Sequence, residues 1–266
     1  MINTQIISVI NQKGGVGKTT TVINLATSLS FCKKKVLVID LDPQGNATTG
    51  FGISNSDVTK TIYDVLDGSC SFEDAINDTK IDNLKLVSSN VDLSGLEVET
   101  ASENRRAFLL KDKIENFINS VKNDFSYIFI DCPPSLSLLT VMSLVAAKSL
   151  IVPLQAEFFA LEGLSQLMKT IDRVKIKLNP QLEIRGVLLT MYDKRNKLSA
   201  EVDSEARQFF KGKVYQTVIP RNVRLSEAPS HGIPILIYDK LCAGSKSYSS
   251  FTEEFLKQES LMESAA

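Results

Sequence analysis

Ile6-Ile7-Ser8-Val9-Ile10-Asn11-Gln12-Lys13-Gly14-Gly15-Val16-Gly17-Lys18-Thr19-Thr20 is the stretch from which the fold can be read. An apolar run enters it. A helical pattern leaves it through Val22, Leu25, Ala26 and Leu29. Strand, glycine-rich turn and helix, in that order, form a phosphate cradle. Glycines let the backbone curl until several N–H groups point inward, and the helix N-terminus adds a partial positive charge. Lys18 is placed to reach the β- and γ-phosphates of a nucleotide, and the Thr19 hydroxyl to ligate Mg²⁺. A merely flexible glycine turn would not need the Lys-Thr pair, the strand and the helix together.

Outward from this turn the chain alternates strands and helices. Val36-Leu37-Val38-Ile39 is a short continuous apolar run, the signature of a strand buried on both faces of a parallel sheet. It ends in Asp40-Leu41-Asp42-Pro43-Gln44-Gly45-Asn46, where ligands bind in open α/β sheets. Tyr127-Ile128-Phe129-Ile130 is a second such strand and ends in Asp131-Cys132-Pro133-Pro134. An apolar strand ending in Asp, downstream of a phosphate loop, matches a Walker B element that holds Mg²⁺.

Further strands are expected at 84–87, 149–154, 184–191 and 214–219, and helices at 61–66, 72–76, 105–121, 136–147, 161–178 and 245–263. Ser199 is expected to cap one more helix, and Thr48 to Gly52 to form a loop. Lys33-Lys34-Lys35 closes the first helix, where cations suit the dipole. The pattern predicts a single doubly wound α/β domain spanning residues 1–266, with a mainly parallel sheet.

Composition narrows the function. The 266 residues are 43% hydrophobic and 23% charged, which suits a large core and argues against disorder. Cys32, Cys70, Cys132 and Cys242 form no CxxC pair, so neither a zinc site nor a disulfide framework is indicated, and a reducing cytosol is expected. A lone histidine, His231, builds no metal site. No signal sequence or membrane span is indicated. Charge is uneven: residues 169–224 carry 13 Lys+Arg against 6 Asp+Glu, while the chain as a whole carries a net charge of −1. Lys169, Arg173 and Lys177 recur four apart on one helical face.

The phosphate loop departs from G-x-x-x-x-G-K-[ST], since Gln12 occupies the first glycine position and Lys13 stands before Gly14-Gly15. It resembles the deviant Walker A loop, and in that superfamily Lys13 would act in trans across a dimer. Together with Asp40 to Asn46, Asp131 to Pro134 and Ile219 to Gly232, it resembles the ParA-type, Soj-like partitioning ATPases over about residues 5–260. The resemblance implies ATP and Mg²⁺ as cofactors. Gly14, Gly15, Val16 and Gly17 would wrap the phosphates, with Lys18 acting in cis. Thr19, Asp40 and Asp131 would act at the metal, Thr20 would support a phosphate, and Asp42 would orient the attacking water. Met191, Pro220 and Asn222 lie where relatives hold adenine.

By the same resemblance, an ATP-bound homodimer would bind double-stranded DNA without sequence preference. Arg195 and Arg224 would make contacts, extended by Lys194, Lys197, Lys211 and Lys213. A ParB-type protein would stimulate hydrolysis, and the protein would be cytoplasmic and nucleoid-associated. The competing reading is a MinD-like membrane-cycling ATPase. That would need a basic amphipathic C-terminal helix, yet residues 245–266 carry two lysines against four glutamates. A cluster-bearing ATPase would need paired cysteines, and a non-hydrolysing scaffold would not need Lys18, Thr19, Asp42 and Asp131 together.

Overall fold

An apolar run without polar alternation needs cover on both faces. In the computed structural model, which describes residues 4–54, 56–120, 124–157 and 160–265, these runs find it. Strand β2 (Val36–Asp40) sends Val36 and Val38 into one core and Leu37 and Ile39 into another. Strand β5 (Tyr127–Asp131) divides Tyr127 and Phe129 from Ile128 and Ile130 in the same way. The two strands pair in parallel, with Asp40 opposite Asp131, and β1 (Gln5–Val9) flanks β5 with Val9 opposite Asp131.

Strands β3 (Ile76–Asp78), β4 (Leu84–Val87), β6 (Ser149–Gln155) and β7 (Glu183–Thr190) complete a seven-stranded sheet in the order β3-β4-β2-β5-β1-β6-β7. Among the described residues only the β3–β4 pair is antiparallel. From β1 the chain runs to β2 on one side and later reaches β6 on the other. This reversal opens a crevice at the C-terminal strand ends, the ligand position of doubly wound sheets.

On one face lie α1 (Lys18–Phe31) and α11 (Ala243–Ala265), which bury Val22, Leu25 and Leu29 against Tyr248, Phe251 and Phe255. Segments α9 (Val223–Glu227) and α10 (Ile235–Tyr238) join them. The opposite face is covered by α3 (Ile62–Asp67), α5 (Leu109–Asn119) and α6 (Leu138–Ala146), then by α7 (Ala160–Lys177) and α8 (Lys197–Phe210) over β6 and β7. Short helices α2 (Asn46–Gly50) and α4 (Leu96–Glu99) fill the connections. Each fully buried large apolar side chain contributes roughly 1.5–3 kcal/mol, so the helix stripes on both faces hold the sheet ends in place.

The expected doubly wound architecture is present, and several local expectations are corrected. Thr48 to Gly50 belong to α2, because the Asp40 carboxylate accepts hydrogen bonds from the Thr48 backbone N–H (2.8 Å) and hydroxyl (2.7 Å) and so anchors that turn. Residues 214–219 do not form a strand. They bond to β7 at each end, while the N–H groups of Gln216 and Thr217 donate to the Glu254 carboxylate of α11 at 2.7 and 2.8 Å. Residues 73–75 make one 3-10 turn and Ile76 already belongs to β3.

Asn196, not Ser199, caps α8, accepting from the Leu198 N–H. Helix α1 ends at Phe31, so Lys33 to Lys35 lie beyond it, with Lys33 in a left-handed turn (φ 62°). Residues 106–108 form a separate 3-10 turn before α5, and Val121 lies outside the described residues. Lys169, Arg173 and Lys177 are exposed along α7 as expected.

Candidate active site

The loop between β1 and α1 is shaped from both flanks. Asn11 donates from Nδ2 to the Pro153 carbonyl of β6 (2.7 Å), and its Oδ1 accepts from the Lys13 N–H (3.0 Å). From β7, the Thr190 hydroxyl donates to the Val16 carbonyl at 2.8 Å. Gly15 and Gly17 are left-handed (φ 73° and 91°), a conformation side chains disfavour, and Gly17 is the N-cap of α1. Together these fixings direct the loop N–H groups and the α1 N-terminus into the crevice.

Lys18 is buried, and its ammonium donates to the Lys13 carbonyl at 3.0 Å. Burial lowers its pKa, opposed chiefly by the negative charge of Asp131 and also by that of Asp42. Lys13 is half-exposed and pairs with Glu157, at the end of β6.

Three carboxylates converge from β2 and β5. Asp40 is fully buried. Besides its two bonds from Thr48, it accepts from the Asp42 N–H at 3.2 Å. Desolvation raises its carboxyl to about 6 despite those bonds. Asp42 lies at the cavity wall, with Oδ1 accepting from the Gln44 N–H (3.0 Å).

Asp131 differs from both. Its two oxygens are buried and accept no hydrogen bond, and burial raises its pKa well above the carboxylate range, with Asp40 adding to the rise. The Thr19 hydroxyl faces it closely enough to favour the charged form, and Lys18 helps. A charged carboxylate left without a partner is costly, so this position calls for a cation. Asp131 and Thr19 fit a Mg²⁺ ion, with Asp42 beside them. Asp40 is occupied in holding α2 and Asp42, so it sits behind that group rather than in it.

A cavity of about 500 Å³ is lined by Gly14, Gly15 and Gly17 to Thr20, by Asp42, Asn46 and Met191, and by Pro229 and Ser230 on its far wall. It continues past Gly17, Thr20 and Met191 into a second cavity of about 310 Å³ lined by Pro220, Asn222 and Tyr248. Met191 is left-handed (φ 50°), an outlier for a non-glycine residue at the cavity edge. The Asn222 side chain caps α9 by accepting from Leu225 N–H (3.3 Å), which leaves its amide NH₂ for a ligand.

Of the sequence-predicted residues, Gly14, Gly15, Gly17, Lys18, Thr19, Thr20, Asp42, Met191, Pro220 and Asn222 line these cavities, whereas Val16, Asp40 and Asp131 are buried behind them and Lys13 is turned to Glu157. Sequence reasoning missed Thr190, Glu157, Asn24 and the wall at Pro229 and Ser230. Asn24 donates to the Thr20 carbonyl (2.8 Å) and accepts from the Ile235 N–H (2.9 Å), tying α1 to the wall. Each of these depends on a contact more than 130 residues away or on a lone polar residue in a helix, and neither leaves a local signal.

The basic residues divide into two groups. The Arg195 loop and the Arg224 segment are neighbours through a bridge between Tyr192 and Pro220, which also brings Lys194 and Lys197 to this end. Arg195 is paired with Asp193 at 3.0 Å, and Arg224 with Glu227 at 2.9 Å. Lys211 and Lys213 lie past the other end of α8, about 20 Å away along its axis.

The sheet, the glycine-rich loop and the carboxylates at two adjacent strand ends define a P-loop nucleotide-binding protein. The AAA domain family matches residues 4–184. The chain is 51% identical to the chromosome partitioning protein ParA of Caulobacter vibrioides over 96% of its length and 95% of that protein. It is 48% identical to the sporulation initiation inhibitor protein Soj of Bacillus subtilis, over 94% and 97% of the two chains. Among solved structures it is similar to cobyrinic acid a,c-diamide synthase from Mycobacterium smegmatis with bound ATP analog and magnesium. There the TM-score is 0.84 at 33% identity, covering 96% and 94% of the chains. The chain belongs to the ParA/Soj family of chromosome-partitioning P-loop ATPases.

Proposed function

We propose that this protein is a nucleotide-driven DNA-partitioning switch, in which ATP closes a homodimer that holds DNA and slow hydrolysis reopens it. The observation that carries the reading is the buried, unbonded Asp131 carboxylate beside Lys18, Thr19 and Asp42 at the mouth of a phosphate cradle. Gly14 to Gly17 surround the phosphates with backbone N–H groups, Lys18 neutralises them in cis, and Thr20 supports one from α1. Mg²⁺ held by Thr19 and Asp131, with Asp40 behind them, would neutralise charge on the phosphate oxygens. Asp42 orients water for in-line attack, since phosphoryl transfer needs positioning more than a strong base. Met191, Pro220 and Asn222 hold the adenine.

Lys13 acts in trans. In the single chain it is held by Glu157, so dimer closure exchanges that carboxylate for the partner's nucleotide. Without an arginine finger, intrinsic turnover falls well below the ~1–100 s⁻¹ of kinases. A ParB-type protein raises it.

Arg195, Arg224, Lys194 and Lys197 meet DNA phosphates without reading bases, and Lys211 and Lys213 join only where the duplex follows α8. Each arginine must first leave an acidic partner, so one subunit binds weakly and the dimer gains by avidity. The protein then works in the cytoplasm on the nucleoid. Support for DNA over a membrane comes from α11, whose Tyr248, Phe251 and Phe255 are buried in the core instead of turned outward as an apolar stripe for lipid. Among the described residues no helix is long and apolar enough to cross a membrane.

The test is ATP hydrolysis by purified wild type and Asp42→Ala. Wild type should turn over slowly with Mg²⁺. The variant should bind ATP with similar affinity and lose at least about tenfold in kcat. Normal turnover in Asp42→Ala would remove the water-positioning role.

A further inference from the structure

We propose that Gly52 and Gly232 are positioning residues that mechanically join the base-side wall of the nucleotide cavity to the helix behind Asp42. The inference rests on the nucleotide reading above. Two segments meet at these glycines. One is α2 with the turn after it, which begins four residues past Asp42 and carries Thr48, the anchor of Asp40. The other is the turn at 228–232, whose Pro229 and Ser230 form the far wall.

Their backbones pack directly against one another. A carbon added at Gly232 would stand 2.6 Å from the Gly52 Cα and 3.3 Å from the Thr49 carbonyl oxygen. One added at Gly52 would stand 2.7 Å from the Gly232 carbonyl oxygen. Both glycines are left-handed (φ 75° and 62°) and both close their turns, Gly52 N–H donating to Thr49 O and Gly232 N–H to Pro229 O.

The contact has no compliant part. Flexible side chains absorb a small displacement, whereas two backbone turns in contact transmit it. On the other sides each segment is held against α1: Gly50 faces Ile23, and Ile235 donates to Asn24. A shift of Pro229 caused by a base in the smaller cavity therefore reaches α2, and through Thr48 and Asp40 it reaches the Asp42 backbone.

The magnitude follows from the distances. Ordinary contact begins near 3.4 Å, so a methyl at Gly232 parts the two segments by about 0.8 Å, and displacements near 1 Å cost about 10²-fold when they misplace reacting groups.

The experiment compares Gly232→Asn and Gly52→Asn with Gly68→Ala and wild type. Asparagine tolerates the left-handed backbone, so these variants alter the contact more than the conformation. Gly68 shares the positive φ (90°), but a carbon there meets only the Lys113 Nζ at 3.9 Å, so it reports strain without the contact. The expected result is kcat for ATP lowered about ten- to hundredfold in both asparagine variants, with ADP affinity within about threefold of wild type and Gly68→Ala near wild type. Equal kcat in the asparagine variants and wild type overturns the coupling, as does a loss of ADP affinity matching the loss of kcat.

Amide hydrogen exchange on wild type gives a second readout that does not depend on the variants folding. ADP should raise protection at 46–52 and 228–233 together, and a change in one segment alone overturns the proposal. Absence of ATP hydrolysis by wild type would refute the nucleotide reading instead, which keeps the two failures distinct.

Discussion

Asp131→Asn should make the nucleotide-free protein more stable while abolishing Mg²⁺-dependent turnover. Asp131 is wholly buried, accepts no hydrogen bond, and faces Asp40 across the β2–β5 pair. Asp40 sets the scale. Even with three hydrogen bonds its carboxyl rises from 3.8 to about 6, a penalty of about 3 kcal/mol near neutral pH at 1.36 kcal/mol per unit. Asp131 lacks those bonds, and burial beside Asp40 raises its carboxyl in the same direction, with Thr19 and Lys18 opposing. The asparagine removes the charge and leaves a buried amide short of partners, at a cost of about 1–2 kcal/mol. The expected sign is a net gain in stability, and each ~1 kcal/mol of gain would raise Tm by roughly 2–4 °C for a domain of this size.

The assay is thermal unfolding in EDTA without nucleotide, beside ATPase rates with Mg²⁺. A Tm for Asp131→Asn at or below wild type would refute the claim that this carboxylate is held at a cost for the sake of a cation. The pH profile adds a second check. Because the Asp40 pKa is raised in the folded state, the fold binds its extra proton between pH 3.8 and about 6. Stability from this group is therefore greatest below that window and falls as pH rises through it, by about 1 kcal/mol from about pH 5 to about pH 7. Wild type in EDTA should accordingly melt higher near pH 5 than near pH 7. Mg²⁺ with ADP should flatten the difference.

Two further outcomes test the dimer and the DNA surface. Lys13→Ala, made in the Asp42→Ala background, should remain monomeric with ATP, whereas Asp42→Ala alone should dimerise. Light scattering that shows the same mass for both would exclude a trans role for Lys13. Wild type should retain duplex DNA with ATP but not ADP, with an affinity falling steeply with salt. Arg195→Ala with Arg224→Ala should weaken retention at least about tenfold, whereas Lys211→Ala with Lys213→Ala should cost less because those lysines lie at the far end of α8. Equal losses in the two pairs would move the DNA path along α8.

What could be read from the chain itself is what local spacing encodes. Apolar runs at 36–39 and 127–130 declare strands buried on both faces, because no polar position interrupts them. Gly14 to Thr20 declare a phosphate loop, because only that spacing puts glycine flexibility, a lysine and a hydroxyl at one helix start. Asp131, ending one such strand, and Asp42, two residues past the end of the other, were legible for the same reason.

Tertiary structure decided what depends on distant partners. Residues 214–219 have strand composition, yet two of their N–H groups go to Glu254, so the strand does not form. Asp40 looks like a metal ligand in sequence, but Thr48 and the Asp42 N–H occupy it, while Asp131 is left bare. Nothing in either aspartate's neighbourhood along the chain distinguishes them; the difference arises because α2 folds back over one strand end and not the other. The contact of Gly52 with Gly232 likewise joins turns 180 residues apart, where each glycine alone signals only a bend. Periodicity and motif spacing report a residue's neighbours in the chain. Burial, charge compensation and backbone contact are set by neighbours in space, and those exist only once the sheet has closed.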